Sequence, residues 1–422
     1  MTDGLGTAAA AQTAETRFPA GLKPPYMPAV CTPTQEGPNG LRFDFNEGCR
    51  VLAPGGGAPW RLRLSDLDTC NTLFESTASF TAGLVRSSKR YFVRFRIEAW
   101  QDGELVFTHD YDARGQEVLV QFYPHTIGDG IGWFPNAVRF QERHDCRLTC
   151  AMGPQLIPLF RDAYPDITFV PYDAVEPERY YGSYIVGAFF GEPERDTLQP
   201  CDPRLVGLHR TAAYILGLEP DEAPPRIAIA DHSRPVTEPY VCIATHATGQ
   251  YKYWNNPEGW PEIVHYLKEQ GYRVICIDQK PRHGRGLSWN QIPQGAEGET
   301  GNRPLLERAR WLRHADFFIG LSSGLSWLAW AAGTPVVMIS GFTHPTNEFQ
   351  TSYRVINYHT CNSCWNDPQQ VFDQGDFMRC PRHNGTPRQF ECTRAISPEQ
   401  VKRVLRTIPG FGVAKRGLFL EP

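Results

Sequence analysis

Apolar and polar residues alternate with period two in short runs from Leu41 to Thr108. The runs are Leu41-Arg-Phe-Asp-Phe, Trp60-Arg-Leu-Arg-Leu, Tyr91-Phe-Val-Arg-Phe-Arg-Ile-Glu-Ala-Trp and Leu105-Val-Phe-Thr-His. Period two with Gly, Pro and Asp at the breaks predicts antiparallel strands, and Gln101-Asp-Gly-Glu104 predicts a hairpin turn. After Arg114 the pattern changes. Strands are expected at Glu117-Val-Leu-Val-Gln-Phe-Tyr, Cys146-Arg-Leu-Thr-Cys-Ala and Ile167-Thr-Phe-Val, with helices reaching Arg139 and covering 154–163 and 203–216. From Tyr240 onward, strands at 240–244, 273–277, 316–319 and 335–339 alternate with helices at 260–269, 304–313, 325–332 and 398–406. Strands alternating with helices imply parallel βαβ units.

The expected fold class is therefore α/β, with two α/β domains and an all-β domain before them. The expected limits are a flexible tail at 1–25, the β domain at 26–112, an acceptor-side α/β domain at 113–235 and a second α/β domain at 236–422. The Pro-rich stretch 220–239 is the expected hinge. A chain of 422 residues can bury that many cores. A formal net charge of −4 and a pI near 6.3 supply no electrostatic footprint for nucleic acid or an anionic membrane. No run approaches the ~20 apolar residues of a membrane span, and the first residues have no signal-like apolar core. A cytoplasmic location is expected.

Cys361-Asn-Ser-Cys364, Cys380 and Cys392 lie in a segment, 358–394, that is otherwise turn-rich and poor in apolar residues. Four thiolates can close a tetrahedral site, and a metal would organise a lobe that lacks a core. Zinc and iron both accept four thiolates, so spacing leaves the metal open. Two disulfides or four free thiols are the alternatives, and disulfides are scarce in reducing compartments. Four protein ligands leave no open position, so the role is structural. The remaining cysteines are expected to be buried core residues.

The loop Gly320-Leu-Ser-Ser-Gly-Leu-Ser-Trp327 joins a strand to a helix. Small residues and the helix N-terminus suit a diphosphate, and the residues placed on the donor are Ser322, Ser323, Gly324, Leu325 and Ser326. A tight turn capped by Ser322 is the alternative. Thr245 and Lys252 follow another strand, where open α/β sheets bind ligands. Lys252 would offer an ammonium to phosphate, and Asp278 would accept a ribose hydroxyl. His246 could touch phosphate, and Asn347-Glu348-Phe349 could hold sugar hydroxyls. Asp129, in Gly128-Asp-Gly130 at a strand–helix turn, is the candidate general base. Its alternative is helix capping, and His125 is the competing base.

With Gly-Leu-Ser-Ser-Gly-Leu-Ser-Trp-Leu-Ala-Trp-Ala-Ala-Gly-Thr-Pro-Val-Val-Met, the stretch 306–341 resembles the nucleotide-sugar half of ADP-heptose glycosyltransferases, which implies the GT-B architecture of two Rossmann-like domains facing a cleft. Lys252-Tyr-Trp-Asn-Asn-Pro and the cysteines at 361, 364, 380 and 392 are similar to the bacterial autotransporter heptosyltransferases. The lipopolysaccharide enzymes typically carry Asp-Ser-Gly where this chain has Ser322-Ser323-Gly324, and they lack the cysteine insertion. The resemblance implies inverting transfer of heptose from ADP-heptose to serine hydroxyls of an autotransporter passenger. It also implies Asp129 as base, one ferric iron per chain in the four-cysteine site, and a large ring-like homo-oligomer, a dodecamer. A lipopolysaccharide core heptosyltransferase and a non-catalytic metal-stabilised scaffold are the competing readings.

Overall fold

The computed structural model describes residues 24–76, 79–189, 197–371 and 375–412. All but the last two residues of the tail expected at 1–25 lie outside them. Two mainly parallel sheets carry the α/β halves. The first runs in the order Thr168–Pro171, Arg147–Met152, Glu117–Phe122, Gly182–Val186, Arg42–Asn46, Arg50–Ala53, Gly83–Arg86. Its strands are parallel as far as Arg42–Asn46, and antiparallel beyond.

This order changes the picture of the N-terminal segment. Arg42–Asn46 pairs with Gly182–Val186, so part of the expected β domain extends the acceptor-side sheet. The other strands, Thr72–Glu75, Trp60–Asp66, Phe95–Gln101 and Glu104–Asp110, form a separate four-stranded antiparallel sheet. The hairpin between the last two is as expected, with Asp102 and Gly103 at positive φ. Alternation in Arg42–Asn46 suggested one wet face, but Asp44 and Asn46 are buried along with Phe43 and Phe45. The buried polar face is satisfied internally: Arg50 donates Nε to Asp44 Oδ1 (2.7 Å), and Asn46 Nδ2 donates to the Tyr180 carbonyl (2.8 Å).

The second sheet is parallel throughout, in the order Glu297–Gly298, Arg273–Cys276, Tyr240–Ile243, Phe318–Leu321, Val336–Ile339, Tyr353–Val355. The strand Tyr353–Val355 and the hairpin Arg282–Arg285/Ser288–Gln291 were not anticipated, because neither carries a run of apolar residues. Three helices differ from expectation. The helix starting at Ile127 continues to His144 past Pro135. The helix expected over 154–163 shrinks to Ile157–Phe160. The helix expected over 203–216 breaks at Gly207, whose φ of +86° ends one segment and starts the next. Gly207 also abuts the Thr346 carbonyl from the other half, leaving no room for a side chain. Most dispersed cysteines are buried, but Cys31 and Cys70 are exposed and Cys201 is half-buried.

Candidate active site

Two helix N-termini meet where the halves face each other. Ile127–His144 rises from the acceptor-side strand Glu117–Phe122, and Gly324–Ala331 rises from Phe318–Leu321 of the other sheet. The Gly128-x-Gly-x-Gly132 spacing makes their contact possible. A Cβ on Gly128 would stand 2.7 Å from Trp327 Cδ1, and one on Gly132 would stand 2.8 Å from Trp327 Cζ3. From the opposite side, a Cβ on Gly324 would stand 2.9 Å from Ile127 Cβ. Trp327, 3% exposed, is the knob in this notch; it went unremarked in the sequence, where an apolar helix residue has no visible partner. Trp133 Nε1 donates to the Leu208 carbonyl (2.9 Å) and locks the far side of the same helix.

Asp129 lies in the first turn of Ile127–His144, half-buried between the packed glycines. Burial raises its carboxyl above the ordinary 3.8, while the Thr126 hydroxyl and the Lys252 ammonium pull it back down. Thr126, not Asp129, is the capping position of the helix, and its side chain makes no capping hydrogen bond among the described residues. Lys252 ends the short turn Gln250–Lys252 and is also half-buried. Burial lowers its ammonium below the ordinary 10.5, opposed by the fields of Asp129 and Glu348. Among the described residues no carboxylate comes within 4.0 Å of that ammonium, so it sits between two acids without being neutralised by a contact. His125 is exposed and packs edge-on against Tyr123 and Tyr172.

Glu348 is wholly buried rather than open to a sugar. Ser322 Oγ donates to one carboxylate oxygen, and Arg354 Nη1 lies 2.9 Å from the other. Ser326 is fully buried, with its hydroxyl donated to the Leu321 carbonyl. Two hydroxyls expected to face the donor therefore fix the loop. What remains for a ligand is the hydroxyl of Ser323, which caps no amide, and the first amides of the helix, Gly324 and Leu325, which have no carbonyl within the helix to meet. Asp278 is buried and accepts from Thr245 N (2.8 Å), Thr245 Oγ1 (3.0 Å) and His246 N (3.3 Å), so it staples the loop after Tyr240–Ile243. His246 packs beside Tyr253 and His283.

The cysteine lobe encloses most of its thiols. Cys364, Cys380 and Cys392 are buried and Cys361 is half-buried. Burial pushes the Cys361 thiol up to about 12 and the Cys364 thiol up to about 11, and neighbouring thiols add to both shifts. Cys392 is raised by burial and then by all three of the others. Among the described residues, however, the possible ligand atoms lying within 4.8 Å of one another belong to Cys361, His383 and Glu391. Glu391 is held by Arg388 Nε (2.7 Å) and by the Cys361 amide (3.3 Å), which suits it to supporting Cys361. His383 and Glu391 carried no sequence signal, being single polar residues in a loop.

Residues 37–103 match the N-terminal domain of glycosyltransferase TibC, and residues 211–372 match glycosyltransferase family 9 (heptosyltransferase). The autotransporter heptosyltransferase TibC of Escherichia coli O78:H11 is 50% identical over 89% of this chain and 92% of its own length. BimC of Burkholderia thailandensis, described as an inactive autotransporter heptosyltransferase, is 50% identical over 92% of this chain and 90% of its own. The crystal structure of TibC, an iron-containing dodecameric glycosyltransferase, superposes with a TM-score of 0.86 at 47% identity, covering 93% of this chain and 100% of that one. TibC has also been solved in complex with ADP-D-β-D-heptose; that structure superposes with the same TM-score at 48% identity and the same coverage.

Proposed function

The chain belongs to the autotransporter heptosyltransferases, and from that membership we propose that it is an active enzyme. It transfers heptose from ADP-heptose to serine hydroxyls of an autotransporter passenger, with inversion. Membership alone does not decide turnover, since one half-identical relative is described as inactive. The observation that carries the reading is the meeting of two helix N-termini, with Asp129 in the first turn of one and Ser323, Gly324 and Leu325 opening the other.

Each residue then has a chemical task. The donor diphosphate lies against the Lys252 ammonium, the Ser323 hydroxyl and the amides at Gly324 and Leu325. Thr245 and Asp278 hold the neighbouring wall of the donor site. Asp129 accepts the serine proton as the oxygen attacks the anomeric carbon from the face opposite ADP. Charge that develops on the leaving diphosphate is met by Lys252 and the helix N-terminus, so no added magnesium is required. Occupancy also prepares the base. A diphosphate beside Lys252 offsets the ammonium's pull on Asp129, and its own charge makes the carboxylate a stronger proton acceptor.

A metal, iron by likeness to TibC, is held by Cys361, Cys364, Cys380 and Cys392. The donor set fits: buried thiols that raise one another's pKa are relieved by a shared cation, which would supply structural order to the lobe. Zinc is the alternative metal. A dodecamer and a cytoplasmic location, where thiols stay reduced, complete the proposal. No described helix is long and apolar enough to cross a membrane. The test is co-expression with an autotransporter passenger, followed by intact-mass analysis. Heptose increments on serine, lost with Asp129→Asn, support the reading. An unmodified passenger with altered lipopolysaccharide would favour the core heptosyltransferase, and absence of ADP binding would favour the scaffold.

A further inference from the structure

The turn that presents Lys252 is held on one side by the strand Ser288–Gln291, where Asn290 Nδ2 donates to Gln250 Oε1 (2.8 Å), and on the other by the cysteine lobe. Gln250 donates its amide to the Phe377 carbonyl (2.8 Å), a backbone bond across the base of the turn. Tyr251 packs its ring at 4.6 Å on Phe342, which follows the strand Val336–Ile339 and joins the turn to the lobe: its carbonyl accepts the Trp365 amide (3.0 Å), and it shares one buried cluster with Tyr251, Cys364 and Cys380. On its other flank the lobe reaches the loop of Glu348, where Trp365 Nε1 donates to Asn347 Oδ1 (3.1 Å). It also touches the acceptor-side half, as Asn366 Nδ2 donates to the Arg204 carbonyl (2.9 Å).

We propose that the cysteine lobe is a brace for the donor site, in which the Tyr251–Phe342 contact positions the Lys252 ammonium. The inference rests on the reading of Lys252 as the diphosphate ligand. Neither Phe342 nor Tyr251 is assigned to touch the donor, so both are positioning residues. Their effect travels through two consecutive residues, from ring to backbone to ammonium. The sequence Tyr251-Lys252 therefore does two jobs, one side chain anchoring the turn in the lobe and the next pointing into the cleft.

The test is a double-mutant cycle on the full-length, metal-loaded protein, titrated with ADP in a calorimeter while metal per chain is measured by elemental analysis. Phe342→Ala should keep its metal and weaken ADP binding about tenfold, within the range for contacting residues that act together. In a Lys252→Ala background the same substitution should change ADP affinity hardly at all, because the positioned group is gone. Should Phe342→Ala fail to fold, Phe342→Leu enters the same cycle and should show a smaller loss of the same kind. Additive effects of the two substitutions would overturn the brace while leaving Lys252 on the donor. Unchanged ADP affinity in Lys252→Ala would overturn the donor-site reading, and the brace with it.

Discussion

Asp129→Asn replaces a carboxylate oxygen by an amide nitrogen with little change of shape, so it removes the base and leaves the packing of its helix turn intact. The neighbouring glycines, Gly128 pressed against Trp327 and Gly130 against Leu156, fix that turn whatever residue 129 carries. Loss of a positioned base slows transfer by about 10²–10⁴-fold, or roughly 3–5 kcal/mol of barrier. Stability should move the other way. A carboxyl whose folded pKa lies above its unfolded value binds its proton more tightly in the native state. Its ionised form therefore destabilises the fold, a penalty that develops as pH rises past 3.8 and is complete above the raised folded value. At neutral pH the Asn variant should melt at or above the parental temperature. ADP affinity should hold or rise slightly, because Lys252 no longer divides its field between carboxylate and diphosphate. Initial rates of passenger modification by mass spectrometry, a melting curve and an ADP titration read all three. In the parent the rate should fall as acid protonates Asp129, at a pH above the ordinary carboxylate range, and that limb should vanish in the variant. Parental turnover in Asp129→Asn would refute the base assignment and move attention to His125. A lower melting temperature with weakened ADP binding would make the residue structural.

Gly128→Ala drives a methyl toward Trp327, whose burial leaves it no room to swing aside. Overpacking of this kind costs about 1–3 kcal/mol; urea unfolding should show it, and Trp327→Phe should restore part of the loss. Arg50→Ala leaves Asp44 buried without its cation, both side chains being fully enclosed in the parent, and should destabilise by about 3–5 kcal/mol in denaturant titration. Cys364→Ser should lower metal content below that of the parent and impair solubility or assembly, measured by elemental analysis and size-exclusion chromatography. Normal values in both would dismiss the four-cysteine site. Donor affinity should fall at alkaline pH as Lys252, already lowered by burial, loses its proton. A titration of ADP binding against pH checks this, and a flat profile to beyond the ordinary lysine range would contradict it.

Local rules in the sequence determined the parts whose physics is local. Apolar strands at 240–244 and 335–339 and the Asp102-Gly103 hairpin follow from periodicity and backbone preference within a few residues. Asp129, Lys252 and Ser323 stand out as candidates only in combination, since a Gly/Ser turn or a surface lysine by itself has a structural or solvated reading. Only the tertiary structure decided how these pieces share work. Residues 42–46 and 182–186 pair across well over a hundred residues, so nothing near Arg42 could show that its strand completes the acceptor-side sheet. Ser322, Ser326 and Asp278 looked like ligand groups, yet Ser322 bonds Glu348 and Asp278 bonds Thr245, partners brought in only by the fold, and Ser326 donates its hydroxyl to Leu321 within its own loop. Trp327 in the glycine notch and Tyr251 on the cysteine lobe are contacts between surfaces that exist only after folding. A polar or apolar side chain announces what it can bind; burial and distance, which belong to the whole chain, settle what it does bind.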